Sequence, residues 1–322
     1  MRVERSLTAV SCALRGCILV TLAWVCLGAA IAQAAPNVVS TLRPIDALVA
    51  GVMEGVGAPA LLLEGSASPH AYSLRPSQSQ ALQNADLVFW IGPEMETFLV
   101  KPLRNLALKG RVVTLSGVEN IMLLPVRPPG ALGEPEASSV QNTGHDHETA
   151  RFDMHIWLDP RNAAAMVRAI AANLIEADSA NRDIYQTNSI AMLVRLDALE
   201  RQINAILTGN AKGLAPYIVF HDAYRYFEKR FGIGPIAVIS LDPEHPPGAA
   251  RIRALKKQIS AAQAVCIFTE PQFEPRIAQR LAEGSNARLA VLDPLGASQG
   301  KGSALYFALL ADIAHNIRAC AG

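Results

Sequence analysis

Short apolar runs alternate with helix-spaced stretches along almost the whole chain, and this alternation limits the fold more than any other feature. Strand-like runs fall at residues 37–41, 60–64, 86–91 and 111–115, and again at 217–220, 236–240, 264–269 and 289–292. Helical spacing fills residues 45–55, 222–231 and 303–319. Parallel strands need crossover connections, and helices between strands supply them, so the pattern predicts a doubly wound α/β fold. A short helix is expected to open at 74–77, with Ser77 as its cap. Asp159-Pro160 predicts another helix start, Asp as cap and Pro at the first position, running to about residue 176.

Residues 181–207 place Met192, Leu196, Leu199, Ile203 and Leu207 on one helical face. Such a helix would be about 40 Å long at ~1.5 Å per residue, enough to brace two lobes. The expected organisation is therefore an N-terminal α/β lobe at 35–180, a linker helix at 181–209 and a C-terminal α/β lobe at 210–322. Each lobe would hold a mostly parallel sheet flanked by helices. Within the first lobe the pattern fails at 117–150, a stretch rich in Pro, Gly, Ser and Asn. Such a long connection is usually functional or disordered. It carries His145 and His147 beside Asp146 and Glu148, so it reads either as an auxiliary metal collector or as a solvated loop with two incidental histidines.

Residues 1–34 have the layout of a secretory signal peptide. Arg2 and Arg5 start it, an uncharged run from Cys17 to Ile31 follows, and Ala32-Gln33-Ala34 is a small-residue cleavage site. The apolar run falls short of the ~20 residues that span a bilayer. The mature protein is thus expected in the periplasm. It keeps two of five cysteines, Cys266 and Cys320. An even pair in an oxidising compartment reads as a disulfide, the alternative being two unrelated buried thiols. A net charge of +1 with no basic patch gives no footing for nucleic acid.

Three histidines share one position in this pattern. His70, His155 and His221 each follow a short apolar run, as does Asp293 in Val-Leu-Asp-Pro. Open α/β sheets build their sites outside the carboxyl ends of their strands. Three imidazoles and a carboxylate meeting there suit a borderline-soft divalent cation such as zinc. Singly, each histidine could instead satisfy loop carbonyls, the reading adopted for His245 and His315. The wide gaps match no local zinc motif, so the site would exist only once the lobes have packed.

Longer strings go further. Ser-Pro-His-Ala-Tyr-Ser-Leu-Arg-Pro-Ser, Asn-Ala-Asp-Leu-Val-Phe-Trp-Ile-Gly-Pro-Glu-Met-Glu, Met-His-Ile-Trp-Leu-Asp-Pro, Phe-His-Asp-Ala-Tyr-Arg-Tyr-Phe-Glu-Lys-Arg-Phe-Gly, Glu-Pro-Gln-Phe and Leu-Asp-Pro-Leu-Gly cover nearly the whole mature chain. In these the chain resembles the periplasmic zinc-binding (ZnuA-like) components of ABC zinc uptake systems. The resemblance implies two lobes with Zn²⁺ between them, held by His70 and His155 from the first and His221 and Asp293 from the second. It implies a Cys266–Cys320 disulfide, a monomer, delivery to a membrane permease, and an auxiliary periplasmic zinc chaperone as a further partner. Manganese and iron receptors of this kind place a carboxylate where His221 stands, and the imidazole here favours zinc. Some zinc members carry Glu before the first histidine. This chain has Pro69, which leaves the fourth position to Asp293 or a water. Asp153, Asp222 and Glu270 are candidates to orient the ligands.

Two other functions compete. A zinc hydrolase would use three histidines with an open fourth position, but no His-Glu-x-x-His or Gly-x-Ser-x-Gly occurs, and no enzyme is expected. An adhesin would need display on the cell, for which the sequence offers no lipoprotein processing site.

Overall fold

The computed structural model of the protein describes residues 35–128, 132, 152–209, 213–240 and 247–322. Residues 1–34, His145, His147 and His245 lie outside them, and so do the expectations placed on them. Pro36–Gly322 forms one compact unit.

Two four-stranded parallel sheets organise that unit. The first contains β1 (Val38–Ser40), β2 (Ala60–Leu61), β3 (Leu87–Trp90) and β4 (Arg111–Thr114), in the order β2-β1-β3-β4. Its register sets Val39 against Ala60 and Val88, and Val88 against Val112. Helices α1 (Arg43–Val52), α2 (Pro76–Asn84) and α3 (Thr97–Asn105) connect its strands. A two-stranded antiparallel ribbon follows, β5 (Leu124–Pro125) with β6 (Phe152–Asp153). Two long helices come next, α4 (Pro160–Ala177) and α5 (Arg182–Thr208). The second sheet contains β7 (Tyr217–His221), β8 (Ala237–Ser240), β9 (Cys266–Thr269) and β10 (Arg288–Val291), in the order β10-β9-β7-β8. Helices α6 (Arg225–Phe231), α7 (Ala249–Ala262), α8 (Arg276–Ala282) and α9 (Ala304–Ala321) complete it. The expected α/β class with two parallel sheets and one long joining helix is the observed one.

Local chemistry explains the element starts. Asp159 caps α4 by accepting from Arg161 N at 2.9 Å, with Pro160 at the first position as the sequence predicts. Ser77 is corrected: α2 begins at Pro76, so Arg75 is the cap, and its backbone N–H donates to Gln78 Oε1 at 2.9 Å. Proline's fixed φ favours the first helical position and leaves Ser77 inside the first turn. The helix expected from residue 222 starts at Arg225, after a turn.

Strand parity sorts the core. Tyr217 and Val219 of β7 face a large core that runs through both sheets and lies against α1, α4, α5 and α9. Ile218 and Phe220 face a smaller core with Ile239, Leu255 and Ile259, under α7. The five apolar residues of α5 named from sequence are all buried in the large core. Arg43, 8% exposed, adds a polar tie from α1 across the unit, donating to Gly296 O at 3.0 Å and Gln299 O at 2.6 Å. Cys266 and Cys320 form a disulfide with Cα atoms 5.9 Å apart, fastening the start of β9 to the end of α9.

Candidate metal centre

The carboxyl ends of the two sheets face one small cavity, and each end delivers a histidine by its own route. His221 is the last residue of β7 and has the parity of Tyr217 and Val219, so its ring points toward the first sheet rather than under α7. His155 follows the ribbon strand β6 and opens a turn of 3₁₀ helix at Ile156–Leu158. His70 lies in the loop after β2, where its N–H donates to Ser68 Oγ at 3.2 Å.

Two carboxylates aim two of the rings. Asp153 Oδ1 accepts from both the backbone N–H of His155, at 2.9 Å, and its Nδ1, at 2.7 Å. Glu270, just past β9, accepts from His221 Nδ1 at 2.7 Å. A carboxylate can only accept, so each Nδ1 carries the proton and each Nε2 presents its lone pair. Those two Nε2 atoms lie 3.2 Å apart. With both rings neutral, two acceptors that close have no donor between them. A tetrahedral zinc, with Zn–N of ~2.0–2.1 Å, holds two nitrogens about 3.3 Å apart, close to the observed spacing. His70 completes the group: one ligand atom from each of the three rings lies within 4.8 Å of the others.

Electrostatics keep the group competent. Burial, and then the neighbouring His155 and His221, push the His70 pKa down to about 3, so its imidazole stays neutral at any ordinary pH. For His221, burial pulls downward, but the charge and hydrogen bond of Glu270 outweigh it and the net direction is upward. A metal ligated there would displace that proton.

Asp293 is not among the residues whose ligand atoms converge. Its Oδ1 accepts from Gln272 Nε2, Leu295 N and Gly296 N, each at 3.0 Å. Its Oδ2 accepts from Ala297 N at 2.5 Å and Ser298 N at 3.4 Å. The carboxylate thus organises the loop after β10, with Gly296 at φ +67°. Of the orienting candidates, Asp153 and Glu270 reach histidines, whereas Asp222 pairs with Arg127 in a two-pronged ion pair. Gln272, Phe273 and Trp157 also line the cavity, with no local sequence signal that singles them out. Trp157 packs on His155 at 5.3 Å between ring centroids and donates to Pro294 O at 2.8 Å, tying the turn after β6 to the loop after β10.

The cavity has about 10 Å³ of free volume, the room of one ion or water. Below it, Tyr226 clamps the ribbon to the second sheet's helices, its hydroxyl accepting from Leu124 N at 2.9 Å and donating to Asp153 O at 2.6 Å.

Known proteins resemble this chain over most of its length. Residues 38–320 match the family described as ZnuA, zinc-uptake complex component A, periplasmic. The high-affinity zinc uptake system protein ZnuA of Brucella abortus (strain 2308) is 38% identical over 315 residues, covering 91% of this chain and 94% of that one. The protein of the same name from Yersinia pestis is 38% identical over 271 residues, covering 82% and 84%. Among solved structures, a crystal structure of ZnuA has a TM-score of 0.73 at 23% identity, covering 89% of this chain and 99% of that one. A mutant of the laminin-binding adhesin of Streptococcus agalactiae has a TM-score of 0.72 at 21% identity, covering 89% and 100%. Those two structures speak for the fold alone. The sequence match over residues 38–320 carries the assignment: this chain belongs to the ZnuA family.

Proposed function

We propose that this chain is a periplasmic receptor that captures Zn²⁺ on His70, His155 and His221 and passes it to the permease of an ABC importer. The observation that carries this is the pair of Nε2 atoms 3.2 Å apart, each ring backed by a carboxylate at Nδ1, with a third imidazole beside them. Nitrogen-rich, four-coordinate sites favour zinc over manganese. The two buried carboxylates set one hydrogen bond behind the ligands balance a dication's charge. All three ligands come from one chain, which supports a monomer as the working unit. The disulfide fits an oxidising compartment and so an exported protein.

Hydrolysis is the weaker reading. A cavity with room for one ion or water leaves none for an ester or peptide beside the metal. Likeness of fold to an adhesin carries no functional weight, since function lives in the site.

The test is complementation. A bacterium lacking its own periplasmic zinc receptor, starved with a chelator, should regain growth with this chain and not with His155→Ala. Equal rescue by the variant would refute zinc delivery through this centre.

A further inference from the structure

Three imidazoles leave one position of a four-coordinate ion open. We propose that Gln272 fills it through Oε1, and that Asp293 aims the Gln272 amide instead of binding the ion. The inference rests on the three-histidine reading and deepens it.

The oxygens near the cavity differ in what they are already doing. Both Asp293 oxygens are occupied, by five N–H donors between them, and ligation would strip donors from a loop the carboxylate holds together. Glu270 sits behind His221, bonded to Nδ1. Nδ1 and Nε2 point to nearly opposite sides of the ring, so this carboxylate faces away from an ion on Nε2. It is also absent from the group whose ligand atoms converge. Gln272 lines the cavity with the three histidines. Its amide has a fixed polarity: a carboxylate accepts only, so the NH₂ must be the end that meets Asp293, at 3.0 Å. Oε1 is thereby turned elsewhere. It is shut off from solvent and has no hydrogen-bond partner among the described residues. Buried acceptors are normally paired. Glu270 Oε2 and Asp153 Oδ2 are unpaired too, but both carboxylates are already bonded to Nδ1 of a ring. That leaves Gln272 Oε1 as the unpaired oxygen of a cavity-lining residue tied to none of the rings.

The resulting ligand set is uncharged, three neutral imidazoles and an amide oxygen. The negative charge that balances the dication sits one bond further out, on Asp153 and Glu270. That arrangement penalises manganese, which prefers carboxylate oxygen.

Co²⁺ reports coordination through its visible ligand-field bands and serves as the probe, with Zn²⁺ and Mn²⁺ affinities measured alongside. Gln272→Leu should shift and weaken the Co²⁺ bands and loosen zinc by at least the roughly 10–100-fold that loss of an outer partner costs. Gln272→Glu should raise Mn²⁺ affinity relative to zinc. Unchanged bands and zinc affinity in Gln272→Leu would overturn the proposal. So would loss of both in Asp293→Asn with Gln272→Leu left intact, which would make Asp293 the ligand. If Gln272→Leu folds poorly by circular dichroism, Gln272→Glu decides alone, and an unchanged Mn²⁺/Zn²⁺ ratio overturns the proposal. His70→Ala is the control: tight zinc binding in that variant would sink the three-histidine reading itself, whatever the Gln272 variants do.

Discussion

Reducing the Cys266–Cys320 bridge should cost stability without touching the metal site. The cysteines are 54 residues apart in sequence. Closing a loop of that size removes chain entropy worth about 4 kcal/mol from the unfolded state. Unfolding entropy of about 2.1 cal/mol/K per residue, taken over the unit Pro36–Gly322, comes to about 0.6 kcal/mol/K. The melting temperature of metal-free protein should therefore fall by about 7 °C on reduction. Both cysteines are buried, so Cys266→Ala with Cys320→Ala should do at least as much. Zinc affinity should hold within a few-fold, because Cys266 begins β9 while Glu270 follows its far end, roughly 13 Å away at ~3.3 Å per residue. Melts followed by circular dichroism, with and without a phosphine reductant, measure the first effect, and chelator competition measures the second. A fall under 2 °C would refute the entropic argument. A large loss of zinc affinity would refute the claim that the bridge and the site are independent.

Three further outcomes are expected. Asp153→Asn and Glu270→Gln should each weaken zinc by about 10–100-fold in chelator competition while leaving all three imidazoles in place, and unchanged affinity would show that the carboxylates do not tune the ligands. Glu96 is fully buried against Thr41 Oγ1, Ile91 N and Gly92 N, and burial raises its pKa to about 7. The folded state then holds a proton that the unfolded state releases above its ordinary value near 4.5, so Glu96 favours folding below that value and loses this contribution as pH rises through about 7. The contribution is on the order of 3 kcal/mol. Metal-free wild type should accordingly lose more stability than Glu96→Gln between pH 5 and 8 in urea melts, and equal losses would contradict the assigned burial. Finally, Arg230 pairs twice with Asp159, which is 0% exposed, at 2.8 and 2.7 Å. Arg230→Met should destabilise by about 3 kcal/mol by stranding that carboxylate, and a change below 1 kcal/mol in urea melts would show the pair to be dispensable.

Strands such as β3 and β8 were legible because they are buried on both faces, so Leu87–Trp90 and Ala237–Ser240 read as unbroken apolar or small stretches. Helix α7 was passed over because it buries only Leu255 and Ile259, a stripe too narrow to register as periodic, and α3 because Pro102 interrupts it. The β5–β6 ribbon has two residues per strand, too few for alternation to show. At the site, position relative to strand ends was enough to single out the three histidines. The Asp153–His155 pair spans two residues and could be suspected locally, whereas Glu270 lies 49 residues beyond His221 and meets it only through the β7–β9 pairing. The position of Asp293 after β10 reads as a ligand's. What sequence could not show was that the backbone N–H groups of Leu295, Gly296, Ala297 and Ser298 fold back onto its oxygens.

The central claim is that one zinc ion sits on His70, His155 and His221. Equilibrium titration of metal-free mature protein against a chromophoric chelator tests it most directly, run on wild type and on each histidine-to-alanine variant. The account predicts one tight site in wild type, weakened in every variant by more than the ~100-fold that loss of an outer partner costs. Wild-type affinity in any one of the three variants, or several equivalent weak sites in the parent protein, would contradict it.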